Sequence, residues 1–161
     1  MLDERLKAGD GAEHWFKMRG SKKKAVTTSA DAQRLAGIRQ ALVTLHKALV
    51  DYDRVRYEKA VGPIRSPNHF LELLTGDPWF AWLHPISQLI VSMDQALDEK
   101  EPLTAAIVEA LVRQAGLMLV PSETGHDFSK HYFDALQDDP DVVLAHAAAT
   151  RLIRNGKARQ A

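Results

Sequence analysis

The sequence predicts an all-α protein: an up-and-down bundle of four main helices, the first of them long, with one or two short extra helices. Three observations carry this expectation. Apolar residues recur at helical three-and-four spacing along most of the chain. Ser-Pro and Asp-Pro pairs stand where helices would begin. No segment alternates apolar and polar residues as a half-buried strand would. With 161 residues, 45% of them hydrophobic, the chain suits one domain with a sizeable core.

Residues 1–27 read as a basic arm. They combine turn material (Gly9, Asp10, Gly11), an aromatic pair (Trp15, Phe16) and a lysine-rich cluster from Lys17 to Lys24. The bundle domain is expected over residues 28–156, followed by a short tail, 157–161. Its first helix starts near Thr28 or Ser29, good capping residues, and can run to Val61, where Gly62 and Pro63 stop it. Leu35, Ile38, Leu42, Leu45, Leu49 and Tyr52 form a heptad seam along it, widened by Val43, Val50 and Tyr57. An arc this broad faces two neighbours.

Ser66 and Pro67 open a short helix closed by Gly76, and Asp77 and Pro78 repeat the start signal at once. Trp79, Trp82, Ile86, Ile90, Met93 and Leu97 keep helical phase through Pro85, which predicts one kinked helix over about 78–99. The next helix places Leu103, Ile107, Leu111, Ala115 and Met118 inward and ends before Pro121. Another is expected from about His126 to Gln137. After Asp139 and Pro140 comes the last, with Val142, Ala145, Ala149, Leu152 and Ile153 inward, ending near Asn155 and Gly156.

Composition narrows the chemistry. The chain has no cysteine, so disulfides and thiolate metal sites are excluded and any metal would need His and carboxylates. No apolar run is long enough to span a bilayer and no signal-peptide pattern is evident, so a cytoplasmic location is expected, with no membrane partner. The zero net charge hides a division: the ends are basic (+3 over 1–27, +2 over 28–62, +3 over 141–161) and the middle acidic (−3 over 63–100, −5 over 101–140). Such a division suits internal pairing or self-association. The arm's lysines with Trp15 and Phe16 raise nucleic-acid binding as an alternative, which the neutral overall balance and the lack of a docking helix disfavour.

Arg39, His46 and Asp53 recur every seven residues beside the first helix's apolar seam. Successive members are about 10.5 Å apart along the axis, so each needs a partner from another element. His146, beside the apolar arc of the last helix, is the candidate. Together His46, Asp53 and His146 have the ligand types of a divalent-metal site, or two imidazoles for haem. The bland reading is stronger: a core-edge histidine usually hydrogen-bonds a hydroxyl, carboxylate or carbonyl, and the chain lacks the paired Glu-x-x-His motifs of a di-iron bundle. No cofactor is therefore the leading expectation.

Other clusters are ordinary on inspection. Asp127, His131, Asp134 and Asp138 share one face of an amphipathic helix whose polar side belongs in water. Ser122 to Asp127 holds hydroxyl, carboxylate and imidazole types, but sequence neighbours rarely make a nucleophile array. At 100° per residue His84 points away from the Trp79 and Trp82 stripe, and Phe80 falls at the core boundary, where it could line an interface but is better read as ordinary bundle-end packing.

The run from Asp77 to Ser87, with Asp139, Pro140, Asp141 and Val142, resembles an uncharacterised family of small all-helical bacterial proteins, over about residues 28–155. The resemblance implies a bacterial, cytoplasmic setting and no activity. The expected function is a non-enzymatic interaction or regulatory module, self-associating as a homodimer or joining a protein partner through the long helix (Leu42, Leu49) or the Trp79 and Phe80 end. A metal- or haem-binding bundle acting as an oxidoreductase or sensor is the alternative.

Overall fold

The computed structural model describes residues 29–98, 100 and 102–158. These form six α-helices and one 3-10 segment: α1 (Ser29–Ala60), α2 (Pro67–Gly76), the 3-10 segment (Pro78–Leu83), α3 (His84–Leu97), α4 (Ala105–Met118), α5 (Asp127–Asp138) and α6 (Pro140–Ala158). The chain is all-α over the described residues. The basic arm, with Trp15 and Phe16, and the last three residues of the expected tail lie outside them.

α1 is the spine. Its seam Leu35, Ile38, Leu42, Leu45 and Leu49 is fully buried, because α3, α4 and α6 all pack on this one helix, α6 most extensively. Local chemistry sets the boundaries. Gly62 takes φ 147°, a backbone state that L side chains rarely adopt, and ends α1. Ser66 caps α2 by accepting from His69 N at 3.1 Å, and Asp77 caps the 3-10 segment by accepting from Trp79 N at 2.8 Å.

Three expectations change. The kinked helix over 78–99 is a 3-10 segment followed by α3, since Pro85 in the first turn of α3 has no N–H to continue an α-helical ladder. The period of three puts Phe80 and Leu83 on the same side, and both are buried. On α4 the fully buried row is Val108, Val112, Ala115 and Leu119; of the expected inward residues Ala115 is buried, Leu103, Leu111 and Met118 are half-buried against the core, and Ile107 is exposed. Finally, α6 runs past Gly156. The Arg34 guanidinium lies where a Cβ on residue 156 would be, while Arg34 Nη1 donates to Glu109 at 2.8 Å. Gly156 is therefore a packing residue rather than a helix stop.

Candidate functional site

The polar residues of the α1 stripe meet separate fates. Arg39 bridges α1 to α3, with Nε 2.6 Å and Nη2 3.3 Å from the two carboxylate oxygens of Asp94. His46 is half-buried, and burial alone lowers its pKa, with no charged or hydrogen-bonded neighbour contributing. Asp53, 1% exposed, is the one buried charged residue among those described.

Asp53 has its own shell. Trp82 Nε1 donates to Oδ2 at 2.8 Å, and Arg56 Nη1, one turn along α1, approaches Oδ1 at 3.4 Å. The Trp82 ring stacks on His131 of α5, with centroids 5.1 Å apart and planes at 14°. Burial raises the Asp53 pKa; the Trp82 hydrogen bond and the Arg56 charge oppose that rise. The Trp79 indole N–H also favours the Asp53 charge, but it is buried without a hydrogen bond of proper geometry. Tyr52, beside Arg56, donates to Asp138 at 2.8 Å and ties α1 to the end of α5. This centre joins three elements by side-chain chemistry alone.

His146 is paired elsewhere, with Tyr132 of α5. The Tyr132 ring is fully buried and His146 is its only hydrogen-bond partner among the described residues; the tautomer in which the hydroxyl donates to Nδ1 satisfies the buried O–H and places the imidazole proton on Nε2. Burial and the nearby Arg154 charge lower the His146 pKa, which favours the neutral ring.

The metal site expected from His46, Asp53 and His146 is corrected accordingly. Among the described residues no group of three or more His, Asp or Glu side chains is placed to hold a metal ion. Asp53 is committed to Trp82 and Arg56, and His146 to Tyr132. The expected contact residues are corrected too: Leu42, Leu49 and Phe80 are each 0% exposed, so a partner cannot touch them in the folded chain. Phe80 packs on Tyr57 and Phe70, and the half-buried Trp79 meets Tyr57 edge-on at 5.7 Å.

The unexpected surface is the outer face of α6. Leu144 is 69% exposed, Val143 and Leu152 are also exposed, and Ala147 and Ala148 lie open beside them. Leu152 was expected inside with Ile153; only Ile153 is buried. A signal existed: residues 142–149 are apolar all round except for His146, whereas a helix with one covered face needs only one apolar stripe. No family model matches this chain, and no curated protein or solved structure is similar to it. Among the described residues no helix is long and apolar enough to cross a membrane, so a bilayer-spanning role for α6 is not supported.

Proposed function

We propose that the protein is a non-enzymatic helical interaction module that self-associates, two copies pairing the outer faces of α6 in an antiparallel, isologous dimer. In this reading α1, α3, α4 and α6 form an up-and-down bundle, α2 and α5 are short additions, and α6 carries the contact in a cytoplasmic setting. The observation that carries it is the exposed strip of Val143, Leu144 and Leu152 around Ala147 and Ala148. Exposed aliphatic side chains grouped on one helix face mark interaction surfaces. Two exposed alanines at the centre allow helix axes to approach within about 8 Å.

Charge chooses the orientation. α6 begins at an acidic corner, Asp138, Asp139 and Asp141, and its exposed basic residues, Arg151, Arg154 and Lys157, fall in its second half, Arg151 on the Leu144 face. Parallel copies would set like charges together. Antiparallel copies bring the acidic corner of each toward the basic half of the other and oppose the helix dipoles. A closed two-fold pairing also limits assembly to a dimer.

Sedimentation equilibrium tests this. The wild-type chain is expected to dimerise, more weakly as salt rises, and Leu144→Glu to be monomeric with an unchanged melting curve. A monomeric wild type, or a dimer indifferent to Leu144→Glu, would overturn it.

A further inference from the structure

A second surface of α6, turned toward α4, holds different chemistry. Here a cleft of about 420 Å³ lies between the two helices, within the range of small-molecule sites. Its inner wall is apolar, with the buried Val112, Leu119 and Ile153. Its cations are Arg113 from α4 and Arg154 and Lys157 from α6, and no lining residue is acidic. His146 joins them, and in the tautomer that accepts from Tyr132 at Nδ1 its Nε2–H is the donor left for a ligand. Leu117 and Val120, 71% and 59% exposed, continue the apolar wall to the rim.

Gly116 supplies an independent observation. It sits in the last part of α4, where glycine weakens a helix by about 1 kcal/mol relative to alanine. Close packing does not require it: a Cβ there would meet only Ile153 Cγ2 at 3.6 Å, an ordinary contact. What the missing side chain leaves open is the cleft, which Gly116 lines.

We propose that this cleft binds a small amphiphilic anion. Its carboxylate or phosphate head is held by Arg113, Arg154 and Lys157 with Nε2–H of His146, and its apolar body lies over Val112, Gly116 and Ile153 toward Leu117. Separated cations around an apolar wall suit a charged head on an apolar body better than a free inorganic ion, which would leave the wall in water. The proposal does not depend on self-association, because the cleft and the exposed Leu144 strip are different faces of α6.

Calorimetric titration with octanoate and octyl phosphate, below their micelle concentrations, tests it, with octan-1-ol and acetate as comparison arms. Both amphiphilic anions, or one of them, are expected to bind, and the comparison between them identifies the preferred head. Octan-1-ol and acetate are expected to bind more weakly by about tenfold or more. Arg113→Glu and Arg154→Glu, both at exposed positions, should weaken binding by a similar factor, and Gly116→Leu should fill the cleft and abolish it. Saturation should raise the His146 ring pKa followed by NMR, since the anion faces Nε2 and its charge favours the imidazolium. Equal binding of octan-1-ol and octanoate, absence of binding by both anions, or binding unaffected by Arg154→Glu and Gly116→Leu would overturn the proposal.

Discussion

Asp53 and Leu144 both break the ordinary rule of burial, one a charge inside and the other a large aliphatic side chain outside. Their surroundings differ in kind. Asp53 has a donor from the 3-10 segment, a cation one turn away on its own helix, and an aromatic shell that extends to α5. Leu144 stands open to solvent beside other exposed apolar residues of α6. A buried polar group with partners in its own chain needs no ligand, so Asp53 is explained by the fold. An exposed apolar strip with charges of opposite sign toward its two ends is what the proposed pairing of two copies accounts for.

The sharpest way to break this contrast is to remove a partner at each place. Trp82→Phe leaves the Asp53 carboxylate buried without its best hydrogen bond and should destabilise the chain by about 3 kcal/mol in urea unfolding. Leu144→Glu should change the same measurement by less than about 0.5 kcal/mol. A small effect at Trp82 would mean that the Asp53 centre is not what holds these elements together.

Titration separates the regions next. Burial raises the Asp53 pKa in the folded chain, so the fold binds that proton more tightly than the unfolded chain does. The group's contribution to stability is therefore greatest in acid and declines as pH rises from the ordinary value of 3.8 through the raised one. Asp53→Asn, which keeps an acceptor for Trp82, should flatten that decline in melting temperatures taken across the acid range. His146 acts in the opposite sense: its lowered pKa favours the neutral ring, and stability is lost as pH falls below 6.5 through the folded value. His146→Gln should reduce that loss, as thermal melts on either side of the range would show.

Smaller effects test packing. Gly156→Ala makes the Arg34 guanidinium shift against its Glu109 pair, offsetting the gain in helix propensity, and should change stability by less than about 1 kcal/mol, while Gly37→Ala, with nothing within 4 Å of the new Cβ, should gain about 0.5 to 1 kcal/mol. Chemical denaturation of the two variants checks the pair. Arg39→Ala removes a part-exposed ion pair with Asp94 and should cost no more than about 1 kcal/mol by the same measurement.

The two regions also differ in how far they were legible in the sequence. Helix boundaries were readable because capping is local: Ser66, Asp77 and Gly62 act within a few residues of themselves. The need of Arg39 and Asp53 for partners was readable as well, from their place beside an apolar seam. Which partners they find was not, because Asp94 and Trp82 arrive from elements 55 and 29 residues away, brought by packing rather than by spacing. Phe80 packs at the bundle end as its spacing allowed, but its full burial was not legible, because the segment has a period of three rather than 3.6. On α4 most of the expected inward residues do meet the core, but two adjacent apolar rows lie there and spacing alone did not show that Val108 and Val112 would be buried and Ile107 exposed. On α6 the composition already held the clue, in an apolar run with no polar side, but which part of it would stay outside depends on the neighbours that α1 gathers.

Self-association through α6 can be tested most directly with a single cysteine, since the chain has none of its own. Ala148→Cys lies near the expected two-fold axis, where mild oxidation should join two copies into a disulfide-linked dimer. Val55→Cys, at an exposed position on α1, should remain monomeric under the same treatment. A monomer in both cases, or cross-linking from Val55→Cys as readily as from Ala148→Cys, would contradict the pairing of the outer faces of α6.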